Sequence, residues 1–142
     1  GPGAGSGTIS AVYTVLVEGD DHNDPIGDAV RGIVDGHIVL SRKLANSGQY
    51  PAVDVLQSLS RLMTRVAKPK HQEMAVEFRN LLATWRDNEE LIRLGAYRPG
   101  AAPEVDRAVN AWPMMRDFLR QPPSEPCSQV RTLQMMAKVV SG

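Results

Sequence analysis

A chain of 142 residues, 42% hydrophobic and 23% charged, is long enough to bury a core and too apolar for a disordered tail. Its 16 lysines and arginines balance 16 aspartates and glutamates, which excludes a net field toward nucleic acid or an anionic membrane, so any basic site is local. A single cysteine, Cys127, excludes an internal disulfide and a cysteine zinc cluster and fits a reducing compartment. No apolar run nears the roughly 20 residues of a membrane span and no leader resembles a signal peptide, so the chain reads as cytosolic. It begins with Gly rather than Met, and "GPGAGSG" reads as a flexible glycine-rich start over residues 1–7, in part a cloning remnant, on a piece of a longer protein.

Residues 8–17, "TISAVYTVLV", carry β-branched and apolar residues on both faces, the pattern of a strand covered on both sides. In "GDDHNDPIGDAVRGIVDG" the signals are those of a helix. Asp24 is its N-cap, Pro25 its first residue, Ile26, Val30, Ile33 and Val34 share a face, and Gly36 closes it. "HIVL", residues 37–40, is the next strand, and strand, helix, strand at this spacing predicts a βαβ unit. Residues 48–62, "GQYPAVDVLQSLSRL", read as a core strand with two end groups that such a strand does not need, Tyr50 before Pro51 and Arg61 at the far end.

After about residue 67 the period changes. Met74, Phe78, Leu81, Leu82, Trp85 and Ile92 recur as the stripe of an amphipathic helix. A second stripe runs through Val105, Ala108, Val109, Trp112, Met115, Phe118 and Leu119, where Pro113 is expected to kink or split the helix. After "QPPSEPC", Ser128 caps a final helix with Val130, Leu133, Met136, Ala137 and Val140. The fold class is thus α/β then all-α, with residues 1–66 a sheet-bearing part and residues 67–142 a small helical bundle.

Candidate chemistry is sparse. The glycine-rich start has no following Lys-Ser/Thr and precedes a strand, so it reads as linker rather than phosphate loop. Glu18, Asp20, Asp21 and Asp24 lack the spacing of a calcium loop and suit a solvated helix start. His22, His37 and His71 show no metal-ligand spacing, Cys127 has no base beside it, and no serine sits in a nucleophile elbow. No metal site is assigned. Two residues remain. A tyrosine ring held at a turn before proline can offer its face to a planar ligand, and an arginine can grip an anion with its fork of donors. The plainer alternatives are a packed surface tyrosine and an arginine paired with a carboxylate such as Asp54.

"VEGDDHNDPIGDAVRGIVDGHIVLSRKLANSGQYPAVDVLQSLSRLM" resembles the post-catalytic segment of the flagellum-specific export ATPases and their type III secretion relatives. These in turn are similar to the catalytic subunit of rotary ATP synthases. The likeness runs from about Thr8 to Met63, with "DGHIVLSR" and "YPAVDVLQSLSR" its most specific motifs, and "LIRLGAYRPGAAPEVDRAVNAWPMMRDFLRQ" is similar to the family's C-terminal helical domain. "PSEPCSQVRTLQMMAKVVSG" fits only loosely.

The resemblance implies that residues 1–66 are the C-terminal portion of a RecA-like nucleotide-binding sheet. It implies a cytoplasmic ATPase, peripheral to the inner membrane at the export gate, that unfolds and delivers export substrates as a ring of six. Its implied cofactors are ATP and Mg2+, and its implied partners are the export stalk, regulators, chaperones and substrates, with no nucleic acid. Tyr50 matches the position whose ring packs on the adenine of its own subunit's ATP. Arg61 matches the arginine finger that reaches the γ-phosphate of the neighbouring subunit, an arrangement in which hydrolysis depends on assembly. The family's phosphate loop, magnesium-site acid and catalytic glutamate would precede Gly1, so this stretch alone is expected to hold no nucleotide tightly and to be inactive. The other reading is an interaction module in which residues 67–142 dock stalk, chaperone or substrate, and a virulence-secretion relative fits the motifs as a flagellar one does.

Overall fold

The computed structural model describes Gly5, residues 7–17 and residues 24–142. They fall into two compact units, Gly1–Val34 and Asp35–Gly142. Most of the glycine-rich start, and the readings of Glu18, Asp20, Asp21 and His22, lie outside the described residues.

In the first unit the strand expected over residues 8–17 does not form. Apart from a bridge at Thr8 the segment is irregular, with Val12 and Leu16 fully or almost fully exposed. β-propensity measures fit against a neighbouring strand, and the only ladder among the described residues lies elsewhere. Helix α1 (Pro25–Ile33) does form, with Pro25 in its first turn and the Asp24 carboxylate accepting from the Gly27 amide at 2.7 Å. Its expected apolar face is only half covered, since Val30 and Val34 are partly buried while Ile26 and Ile33 are exposed.

The second unit begins with β1 (Gly36–Leu40), α2 (Arg42–Asn46) and β2 (Val53–Ser60). Gly36 opens β1 instead of closing α1, because the helix already ends at Ile33 and Val34 is extended. A Cβ on Gly36 would stand 2.7 Å from the Leu59 carbonyl oxygen, so this close approach of two backbones requires glycine. β1 and β2 pair antiparallel, with α2 in the connection between them. The expected βαβ unit is therefore replaced, among the described residues, by a two-stranded antiparallel sheet. Its ladder is interrupted: Gly36 and His37 face Ser60 and Leu59, whereas Val39 and Leu40 face Asp54 and Val53, leaving Ile38 opposite an excess of β2 residues.

After the short α3 (Met63–Val66), the helical part follows the sequence stripes closely in α4 (Pro69–Arg93), α5 (Pro103–Leu119) and α6 (Gln129–Ser141). Pro113 lies inside one continuous α5, so the helix is not split. Ser128 caps α6, its Oγ accepting from the Arg131 amide at 3.2 Å. Phe78, Leu81 and Leu82 of α4 meet Ala108, Ala111 and Met115 of α5 and Met136 and Val139 of α6. The fully buried Ala108 lets α4 and α5 approach closely enough for Leu82 and Met115 to be sealed from water. Trp85 and Trp112 stack at 3.5 Å with their planes 9° apart, and Phe78 and Phe118 lie tilted at 5.0 Å. In α6 Met136 and Val139 are buried and Leu133 and Val140 pack against the core, so the expected face is the packed one except at Val130 in the first turn, which is exposed.

Candidate functional site

Tyr50 is set by the turn that follows α2. Gly48 takes a φ of 75°, and the Gly48 and Gln49 amides donate back to Ala45 and Leu44 at 2.9 and 3.0 Å. Gln49 points inward and is 7% exposed, which turns its neighbour Tyr50 outward, 60% exposed, before a cis bond to Pro51. The Tyr50 carbonyl accepts from the Gln121 amide at 3.0 Å, tying this turn to the chain just beyond α5. Pro51 and Val53 form one wall of a cleft of about 300 Å3, closed by Phe118, Leu119, Arg120 and Arg131. An exposed phenol ring beside a largely apolar cleft, whose charged lining is Arg120, Arg131 and Glu125, suits a planar ligand. The sequence reading did not find this cleft, because its walls are far apart along the chain.

Arg61 stands just past the other end of β2, exposed, its amide donating to the Asp35 carbonyl at 2.8 Å. Tyr50 and Arg61 thus flank one strand from opposite ends, and the fold does not bring them to a common point within a single chain. The Asp54 carboxylate is held by Arg86 of α4 at 2.8 Å. The other oxygen-accepting contacts of Asp54 come from the Leu56 and Gln57 amides at 3.1 and 3.4 Å.

Burial pushes the Asp54 carboxyl up, but the hydrogen bond and charge of Arg86, with the Gln57 and Leu56 amides, outweigh it and hold it below the usual carboxylate value. Because the folded value is depressed, this stabilisation is complete above the unfolded aspartate value of about 3.9 and is lost as the pH falls through the folded value. Acid titration of unfolding is expected to show stability declining below about pH 4, a decline that Asp54→Asn shrinks. An acid limb unchanged by that substitution would refute the pairing.

The interrupted part of β2 is held from several sides. Arg79 of α4 donates to the carbonyls of Val55, Leu56 and Ser58 at 2.5, 2.9 and 3.1 Å. His37 of β1 donates through Nε2 to the Gln57 carbonyl at 3.0 Å. Ser58 bridges the strands, its Oγ donating to the Asp54 carbonyl at 2.6 Å and accepting from the Val39 amide at 3.0 Å. Reading the sequence missed Arg79 and Arg86. The available signal was two arginines two turns apart, flanked by the apolar stripe of α4.

Elsewhere the chemistry stays thin. Cys127 is exposed, with its Sγ 3.3 Å from Thr132 Oγ1. Among the described residues, no cluster of three or more His, Cys, Asp or Glu side chains is arranged to hold a metal ion, and no helix is long and apolar enough to cross a membrane.

Comparison with known proteins gives concordant findings. Residues 67–138 match the family model described as T3SS EscN ATPase C-terminal domain. Residues 1–60 match the nucleotide-binding domain of the ATP synthase alpha/beta family. The chain is 53% identical over 120 residues to a protein named flagellum-specific ATP synthase from Bacillus subtilis (strain 168), covering 84% of this chain and 27% of that relative. The assembled ATPase EscN of the enteropathogenic E. coli type III secretion system aligns with a TM-score of 0.90 and 44% identity, covering 94% of this chain and 32% of its own. EscN solved in complex with its central stalk EscO aligns with a TM-score of 0.76 and 41% identity, over 82% of this chain and 29% of that one. The chain therefore spans about a third or less of the length of these relatives.

Proposed function

Because the chain belongs to the type III secretion ATPase family, whose EscN-type C-terminal domain it carries, we propose that the whole protein is a flagellar export ATPase. In this reading residues 1–66 are the C-terminal portion of its nucleotide-binding domain and residues 67–142 its helical domain. Six copies form a ring around a central stalk, at the inner-membrane export gate, and ATP hydrolysis drives the unfolding and delivery of substrates received with their regulators and chaperones. What carries the reading is the placement of an exposed aromatic ring, Tyr50, and an exposed arginine, Arg61, at the two ends of one clamped strand, in a chain this similar to assembled ATPases.

The residues suit their parts. Tyr50 stacks on the adenine of ATP bound by its own subunit, with the cleft behind Pro51 taking the edge of the base. Arg61 presents its donors to the phosphates held by the adjacent subunit. ATP supplies the transferring phosphoryl group, whose charge needs a fixed cation and little covalent help. Mg2+ accompanies the nucleotide, and none of the described residues of this chain is assigned to its coordination. Because one copy contributes a ring to its own site and an arginine to the next, turnover requires the ring of subunits.

The test is nucleotide affinity in the full-length protein. Tyr50→Ala is expected to weaken ATP binding by about 5- to 100-fold, the worth of one base stacked on an aromatic ring, whereas Tyr50→Phe retains it. Unchanged affinity in Tyr50→Ala would remove the adenine role.

A further inference from the structure

We propose that Arg79 is a positioning residue for hydrolysis: it holds the interrupted segment of β2 in a single path and thereby aims Arg61, an inference that rests on the ATPase reading above. The backbone groups of this segment have lost their ladder. Between the pairs His37–Leu59 and Val39–Asp54 only Ile38 lies on the β1 side, so the carbonyls from Val55 to Ser58 have no full set of amides to receive them. Each of them accepts instead from a side chain, that of Gln57 from His37 and those of Val55, Leu56 and Ser58 from Arg79.

A guanidinium is planar, with its donors in a rigid fork, so three carbonyls bound to one group are fixed relative to each other. Ser58, the last of them, precedes Arg61 by three residues, and the Arg61 amide is itself anchored to the Asp35 carbonyl. The finger's base is therefore held just before and at its own residue, which leaves the connecting segment little slack. The Tyr50 turn is secured separately, through Gln49 and Gln121. Loosening the clamp should move the arginine and spare the ring.

Arg79→Lys keeps the charge but replaces the fork with a single ammonium. In the full-length protein it is expected to lower kcat by about 10- to 100-fold, the range in which a misplacement near 1 Å acts, while KM for ATP stays within about twofold because Tyr50 is undisturbed. Ser58→Ala, which removes one tie of the same segment, gives a smaller loss with the same split. Val139→Ala, buried in the same core but on α6 rather than on the helix that carries the clamp, is the control: it weakens the fold, leaves the hydrogen bonds of the segment in place and keeps kcat per folded molecule, with folded protein counted by nucleotide-binding stoichiometry. A kcat for Arg79→Lys within twofold of wild type, or a loss that appears equally in the Val139→Ala control, overturns the proposal. Arg61→Ala, measured alongside, separates the two levels. If it keeps turnover, the ATPase-finger reading falls and the positioning role with it; if it is inactive while Arg79→Lys is normal, only the positioning role falls.

Discussion

Arg61→Ala in the full-length protein is expected to bind ATP as the wild type does and to lose turnover by about 10³-fold or more, the range over which arginine fingers act. The residue lies beyond the end of β2, opposite the strand from Tyr50, so its removal leaves the proposed base-binding contacts untouched. Its worth lies in the transition state, where charge spreads over the transferring phosphoryl oxygens and a prearranged donor set costs no reorganisation. A variant that loses turnover while keeping ground-state affinity is the signature of such a group. Paired measurements of equilibrium ATP binding and steady-state hydrolysis decide it, and hydrolysis near the wild-type rate would sink the assignment. Arg61→Lys is expected to restore only a fraction of the rate, because a point charge lacks the fork.

The second large effect lies in the helical bundle. Leu82→Ala is expected to destabilise the chain by about 2–5 kcal/mol. Leu82 is 1% exposed, sits at the meeting of α4 with α5, and faces Ala108 and Met115, both fully buried. Ala108 cannot extend to fill the space, and Met115 can do so only in part, which places the cost within that range. Trp85 and Trp112, stacked at 3.5 Å beside this core, supply a fluorescence probe of the same region. A denaturant midpoint unmoved by Leu82→Ala would mean that this packing contributes little to stability. Val76→Ala, on the exposed side of α4, is the matched comparison and should change the midpoint little.

The parts of the fold that were legible in advance share one physical basis, local repetition. The stripes in α4 and α5 follow from side chains at helical spacing, and the Asp24 and Ser128 caps follow from short oxygen-bearing side chains placed before an apolar period. The misread elements depended on partners distant in sequence. Residues 8–17 have every β-forming side chain that a strand wants, yet strand formation needs a neighbour's backbone. Gly36 stands where a helix stop would, but its role is set by the Leu59 carbonyl on another strand.

The same division runs through the candidate site. The identities of Tyr50 and Arg61, the turn before Pro51 and the resemblance carried by "DGHIVLSR" and "YPAVDVLQSLSR" were present in the sequence by itself, since they reside in side-chain chemistry and adjacent residues. Tertiary structure alone decided that Asp54 belongs to Arg86, that Arg79 gathers three carbonyls of an interrupted strand, and that the cleft beside Pro51 is walled by the end of α5. Unpaired backbone groups left by an irregular ladder must find partners wherever the packed helices place them. No local pattern encodes that, because the donor and the acceptor meet only after the helix has packed on the strand.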